Sequence, residues 1–280
     1  MAQDTLTVAL ISELFVGPDA DARLSARLVE ARALGAELAV LPELPLDGWA
    51  PATRVARDED AEEPGGPRHR MLAGAARAAG IGVVGGAIVR EHGPSGHVVR
   101  HNTALVFDAA GRLAGRYAKI HLPDEPGFHE PAHWAPGAVA PAIIEGFALP
   151  LGVQICSDNN RPQGSHLLSA QGAMLIVAPR ATERATYERW NLVFRANAMT
   201  SAAYVVSVTR PTPERGVPLG GPSLAVDPSG RVLLETTDTL SVVTLSRAVA
   251  TAARGAYPGY LAVRADIYAR AWSDIAGSRC

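Results

Sequence analysis

Cysteine is almost absent. Cys156 and Cys280 are the two in 280 residues, too few for a disulfide framework, which points to a reducing compartment, the cytoplasm. Aromatic residues make up only 5%, so the core has to be built largely from Ala, Val, Leu and Ile. Neither sign of charge prevails: 26 Lys and Arg stand against 28 Asp and Glu, a net charge of −2. That balance excludes the basic field that draws a protein to nucleic acid or to an anionic membrane. No uninterrupted apolar run reaches the roughly 18 residues needed to span a bilayer. The opening MAQDTLTVALISELFVG has no positive n-region and is interrupted by Asp4, Ser12 and Glu13, so it does not read as a signal peptide. What the chain does have is 48% hydrophobic residues, enough to offset the ordering entropy of a folded chain and to bury one large core without staples.

Strand-like and helix-like segments alternate from the start. TVALIS (7–12), LAVLP (38–42), IGVVGGAIV (81–89), LGVQIC (151–156), MLIVAP (174–179) and AYVVSV (203–208) are short apolar runs that read as buried strands. Helical spacing marks 19–33, stopped by Gly35, then 68–79, stopped by Gly80, and later roughly 163–172 and 183–200. TALVFD-AAGR-LAGRYAKI and SLAVD-PSG-RVLLET read as hairpins. The acidic, Pro- and Gly-rich stretch at 57–67 reads as a surface loop, and no linker or compositional break divides the chain. One α/β domain over 1–280, with helices covering a mixed sheet, is the economical reading.

Two familiar strings fail on their context. Gly80, Gly82 and Gly85 spell G-x-G-x-x-G, but here a helix ends and a strand begins, the reverse of a dinucleotide site. A helix cap followed by a small-residue strand is the plainer reading. His129, Glu130 and His133 spell H-E-x-x-H, the zinc-hydrolase string, yet Pro131 sits inside it, with Pro126, Gly127, Pro136 and Gly137 around it. A loop fits better than the helix that would project both imidazoles from one face. A zinc hydrolase using His129 and His133 is the alternative kept from a different class, beside a non-catalytic binding protein.

Three places put reactive side chains where buried strands stop, the usual position of ligand sites in α/β folds. Glu43 follows LAVLP between Pro42 and Pro45. Lys119 lies in the alternating RYAKIHLPD and is either a snorkelling edge residue or a positioned cation. Cys156 ends LGVQIC and is followed at once by Ser157, Asp158 and a turn. A sulfur on a sharp strand-to-turn junction, beside backbone N–H groups, has the setting of an activated nucleophile with its own oxyanion donor. Together the three supply a nucleophile, a carboxylate base and a cation, a set able to perform acyl transfer.

At these residues the sequence resembles the nitrilase superfamily of carbon–nitrogen hydrolases. Glu43 in LPELPLDGW, Lys119 in YAKIHL and Cys156 in GVQICSD carry the likeness, with PGFHEPAHWAPG, GGPSLAVDPSGRVL and the Tyr-Pro-x-Tyr-Leu-x-x-Arg segment at 257–264. The resemblance implies a four-layer αββα sandwich and a homodimer or higher homo-oligomer, with the tail at roughly 255–280 in its contacts. It implies Cys156 as nucleophile, Glu43 as general base, Lys119 as oxyanion-stabilising cation and Glu130 as a second glutamate holding the lysine and the leaving amine. It implies a thioester intermediate and neither a metal nor an organic cofactor.

Cys156-Ser157-Asp158 follows the Cys-x-Asp pattern of amidases and carbamoylases rather than the Cys-Trp-Glu of nitrilases. Small linear amides are therefore the expected substrates, with N-carbamoyl compounds and nitriles as alternatives. For substrate contacts the sequence offers four residues. They are the Ser157 backbone N–H, Trp134 closing the pocket, Asn160 where relatives carry an aromatic residue, and Arg180. The last would either pair with a substrate carboxylate or form a structural salt bridge, with Asp158 or a helix residue.

Overall fold

The computed structural model describes residues 4–92, 96–256 and 265–277. Two sheets stack face to face. The first runs β14 (Leu240–Ser246), β1 (Thr5–Ile11), β2 (Leu38–Val40), β4 (Gly82–His92), β5 (Val98–Phe107), β6 (Leu113–Ala118), and the short β3 (Ala61–Glu62) also pairs with β4. The second runs β13 (Val232–Thr236), β12 (Ser223–Val226), β11 (Tyr204–Thr209), β10 (Leu175–Arg180), β9 (Leu151–Val153). The centre of each sheet is parallel and the hairpins add antiparallel edges, the mixed arrangement the sequence implies.

The consecutive apolar runs are explained by burial on both faces. Val8, Leu10, Val40, Val84 and Val106 meet Val153, Val177, Val206 and Val208 between the sheets. Their neighbours Ala9, Ile11, Ala39 and Val83 turn outward onto Leu24 and Leu28 of α1 (Ala20–Ala33) and Leu72 of α2 (Pro67–Ala79). On the far side Ile176, Ala178 and Val205 pack on Leu168 of α3 (Pro162–Gln171) and Phe194 of α4 (Tyr187–Ser201). The order is helix, sheet, sheet, helix: the four-layer αββα sandwich.

The G-x-G-x-x-G string is resolved as a cap and a strand. Gly80 takes the left-handed φ of +62° that closes α2, and in β4 a Cβ on Gly85 would come within 2.7 Å of the Leu72 side chain. Three boundaries differ from the sequence reading. β9 ends at Val153, so Cys156 opens a tight turn (Cys156–Asn160) rather than ending the strand. The expected helix at 183–200 is a short turn (Arg184–Thr186) followed by α4. The stretch at 57–67 is not simply a surface loop, because Asp60, Ala61 and Glu62 are buried. Glu62 is drawn inward because its carboxylate accepts the free N–H groups of Arg68 at 2.7 Å and His69 at 3.0 Å at the start of α2.

After β14 the chain forms α5 (Arg247–Gly255); the segment at 257–264 lies outside the described residues. In α6 (Ala265–Gly277), Trp272 borders a cavity of about 400 Å³ with Leu167, Tyr117 and Asp158. Among the described residues no helix is long and apolar enough to cross a membrane.

Candidate active site

Both sheets deliver polar side chains to the same place. Glu43 stands three residues past β2, Asn102 lies within β5 and Lys119 follows β6 directly. From the second sheet come Cys156, beyond β9, and Ala181, the first residue after β10. The short turn Glu130–Ala132 adds Glu130. All are buried: Lys119 and Glu130 have no exposed surface, and Cys156 keeps only 4%.

Lys119 Nζ donates to Glu43 Oε1 at 2.8 Å and to Glu130 Oε1 at 2.5 Å. Asn102 Nδ2 also donates to Glu43 Oε1, at 2.8 Å, while the Ala181 N–H holds Glu43 Oε2 at 2.9 Å. The Ala181 carbonyl accepts the Cys156 thiol, with Sγ at 3.4 Å. Residue 181 thus grips the glutamate with its N–H and the sulfur with its C=O. Trp134 Nε1 holds the other oxygen of Glu130 at 3.2 Å.

Burial in this mixture of charges displaces the titrations. Burial pushes the Cys156 thiol up, the charge of Glu43 adds to it and Lys119 pulls back, leaving the group well above the ordinary thiol range. Burial pulls the Lys119 ammonium down, but Glu130 and Glu43 outweigh it and hold the lysine above its usual range. Glu130 is pushed up to about 8, by burial first, against the pull of Lys119 and with the push of Glu43. The resting site therefore keeps a protonated thiol beside an ammonium, with Glu130 holding its own proton up to about pH 8. Such a set can transfer a proton from sulfur and stabilise negative charge on an incoming oxygen.

Cys156 itself has φ of +46°, and Leu44, next to Glu43, has φ of +48°. A left-handed backbone at a residue with a side chain costs of order 1–3 kcal/mol and survives only where the surroundings enforce it. Asp158 supplies that enforcement at the sulfur. Its buried carboxylate accepts the N–H of Ile155 at 3.2 Å, Ile120 at 3.2 Å and His121 at 2.9 Å, as well as the Tyr117 hydroxyl at 2.9 Å. The Cys156 turn is thereby fastened to the segment that carries Lys119.

The sequence pattern of the carbon–nitrogen hydrolases matches residues 7–255. The chain belongs to the carbon–nitrogen hydrolase family. It is 31% identical to a nitrilase of Pyrococcus abyssi over 224 residues, 79% of this chain and 80% of the relative. It is 29% identical over 250 residues to the omega-amidase of Danio rerio, covering 87% of each. The amidase of Nesterenkonia sp. AN1, from the nitrilase superfamily, overlays with a TM-score of 0.75 at 25% identity, over 96% of this chain and 97% of that one. One structure of that amidase shows covalent addition of the acetamide moiety of fluoroacetamide at its active site cysteine.

As a carbon–nitrogen hydrolase the chain brings Glu43, Lys119, Glu130 and Cys156 together, whereas the remaining site expectations divide. Ser157 lies beside Cys156, its hydroxyl donating to His121 O at 2.5 Å. Trp134 is not a lid: it is buried behind Glu130 with Trp49, Phe128 and Leu219 as neighbours, because its indole N–H has the carboxylate as partner. Asn160 is exposed at the end of the turn, its carbonyl taking Arg161 Nη1 at 3.3 Å.

Arg180 forms no salt bridge with Asp158. Its guanidinium is wholly buried over Tyr187 and Phe194, on the helix side of the second sheet, and donates to Ser207 at 3.0 Å, to Thr182 and to the Pro222 carbonyl. Burial pulls it down to about 10, against a weaker upward push from Cys156 and Tyr187. Facing the helices rather than the sulfur, it is not placed to pair with a substrate carboxylate at Cys156.

The H-E-P-A-H string does not converge on a metal. His129 turns to Asp124 at 3.1 Å, His133 to the Thr53 carbonyl at 2.7 Å, and among the described residues no group of three or more His, Cys, Asp and Glu could hold an ion. Sequence reasoning missed Asn102, the peptide at Ala181 and the task of Asp158. Only Asn102 had a legible signal, an amide inside the otherwise apolar run NTALVF.

Proposed function

We propose that the protein hydrolyses small linear amides to acid and ammonia through a thioester on Cys156. The observation that carries this reading is the Ala181 peptide, which holds Glu43 by its N–H and the Cys156 thiol by its C=O. Glu43 takes the thiol proton as sulfur bonds to the amide carbon, and the carbonyl π pair moves onto oxygen. Lys119 and the Ser157 N–H meet that oxyanion. Glu43 returns the proton to nitrogen, the C–N bond breaks, and ammonia leaves a thioester. Water, deprotonated by the same carboxylate, releases the acid and restores the thiol. Glu130 keeps Lys119 in place and faces the leaving amine.

The raised thiol supports this order of events, since a standing thiolate is not available and the base has to act during attack. The omega-amidase relative supports the amide class, and the adduct on the active site cysteine of a mutant form of the Nesterenkonia amidase supports bonding to sulfur. With Arg180 committed to Ser207, Thr182 and Pro222, uncharged amides come ahead of acidic N-carbamoyl compounds. A homodimer formed through the outer helices belongs to the same proposal, since Leu167, Leu192 and Met199 stand exposed on them.

The test is ammonia release from a panel of amides, nitriles and N-carbamoyl amino acids. The native chain is expected to favour amides, and Cys156→Ala to lose at least about 10⁴-fold in kcat, as removal of a nucleophile does. Turnover by the alanine variant overturns the thioester; preference for nitriles or N-carbamoyl compounds overturns the substrate class.

A further inference from the structure

Arg210 follows β11 directly, and its side chain has no exposed surface. All five guanidinium N–H groups are used. Nη1 donates to the Glu43 and Leu44 carbonyls, both at 2.8 Å. Nη2 donates to the Asp47 carbonyl and to Glu214 Oε2, both at 2.7 Å, and Nε to Glu214 Oε1 at 2.7 Å. The Trp49 ring lies under the guanidinium at 5.5 Å, and the Trp49 N–H returns to Glu214 Oε2 at 3.0 Å. Every one of these acceptors apart from Glu214 belongs to the irregular 43–49 segment.

That segment has no sheet or helix ladder to fix it. Pro45 removes a donor from it and Pro42 another just before it, and Leu44 is held at φ of +48°. Three of its carbonyls converge on one point, and a planar five-donor cation fills such a point where a lysine, with three donors on a flexible stem, does not. The Glu214 carboxylate neutralises the guanidinium and fixes its rotation by a bidentate grip. The backbone of Glu43 is thus held from below, while its carboxylate is held from above by Lys119, Asn102 and Ala181.

We propose that Arg210, clamped by Glu214, is the positioning residue of the Glu43 base: it touches neither substrate nor the reacting atoms, and it fixes the backbone from which the carboxylate reaches Cys156. The inference rests on Glu43 acting as base, as proposed above.

The experiment compares Arg210→Lys, Glu214→Gln and Glu43→Gln with the native enzyme, at a temperature where circular dichroism shows each folded. Two readouts are kcat against KM on the best amide and the pH dependence of Cys156 alkylation by iodoacetamide. Misplacing a reacting group by about 1 Å costs on the order of 100-fold. Arg210→Lys is therefore expected to lower kcat by about that factor with KM within about twofold, and to move the alkylation profile to lower pH as the Glu43 charge that helps hold the thiol up is displaced. Glu214→Gln is expected to do the same more weakly, about tenfold, and it stands in for the lysine variant should that one not fold.

Folded variants with native kcat and a native alkylation profile overturn the positioning role while leaving Glu43 as base. A kcat that falls only in proportion to folded fraction makes the clamp merely structural and also overturns it. Activity retained in Glu43→Gln removes the base reading, and this inference with it.

Discussion

Four ionisable side chains share one buried volume, and Cys156, Lys119 and Glu130 owe their states to burial and to their neighbours there. Glu130 is the clearest case, because its folded-state pKa of about 8 stands above the ordinary 4.5 of the unfolded chain. Between those values the native protein keeps a proton that the unfolded chain has lost. The contribution of this group to stability is thus complete below about pH 4.5 and disappears as the pH rises through about 8. Urea unfolding from pH 5 to 8 should show a midpoint that falls with pH in the native protein and falls less steeply in Glu130→Gln. Equal slopes would mean that Glu130 ionises normally. This coupling was only half visible in the sequence. Glu43, Lys119 and Cys156 were legible because each stands where an apolar or alternating run stops, and Glu130 through the resemblance carried by PGFHEPAHWAPG. Their mutual contacts were not, since Lys119 and Glu43 are 76 positions apart and only the packing of β2 beside β4 and β5 closes that distance.

Among the elements, one tight passage carries unusual weight. The Gly137 N–H donates to the Lys119 carbonyl at 2.7 Å, and a Cβ at Gly137 would sit 2.5 Å from the Ala118 carbonyl oxygen. Backbone, unlike a side-chain tip, has nowhere to go, so Gly137→Ala pushes the end of β6 away and takes Lys119 with it. The expected result is a loss of about 1–3 kcal/mol in stability, as for other overpacked positions, together with a fall in kcat of at least about tenfold. A thermal melt and a rate measurement check both, and a native-like kcat would show that the lysine does not follow the strand.

Strand and helix placement was largely readable, because alternation such as Val8 and Leu10 inward with Ala9 and Ile11 outward leaves a sequence trace. The ends were less so. Cys156 looked like the last residue of a strand because Leu151 to Ile155 give nothing to mark a stop, apart from Gln154. What ends the ladder is the side chain of Asp158 reaching back to the Ile155 N–H, a contact that no periodicity reveals. Arg210 was equally hidden: an arginine after a buried strand with a glutamate four residues on reads as an ordinary exposed pair until the fold encloses it.

At the scale of the molecule, the candidate site exists only where the two sheets meet, the first supplying Glu43 and Lys119 and the second Cys156. The outer helix layers are left to do other work. Leu192 on α4 is 68% exposed and Met199 46%, which supports the proposed pairing of chains through that layer. Light scattering should return twice the mass of one chain, and Leu192→Glu combined with Met199→Glu should halve it; a native mass of a single chain overturns the pairing. Enclosing the sulfur between the sheets has one further consequence, for endurance. Peroxide attacks thiolates, and sensor cysteines present exposed, low-pKa ones. With its proton resting on the Ala181 carbonyl and the sheets closed around it, Cys156 offers oxidants almost nothing, and in the proposed mechanism it becomes reactive only during turnover. In the proposed mechanism, the arrangement that makes the thiol wait for Glu43 also keeps that sulfur from being spent by the passage of time.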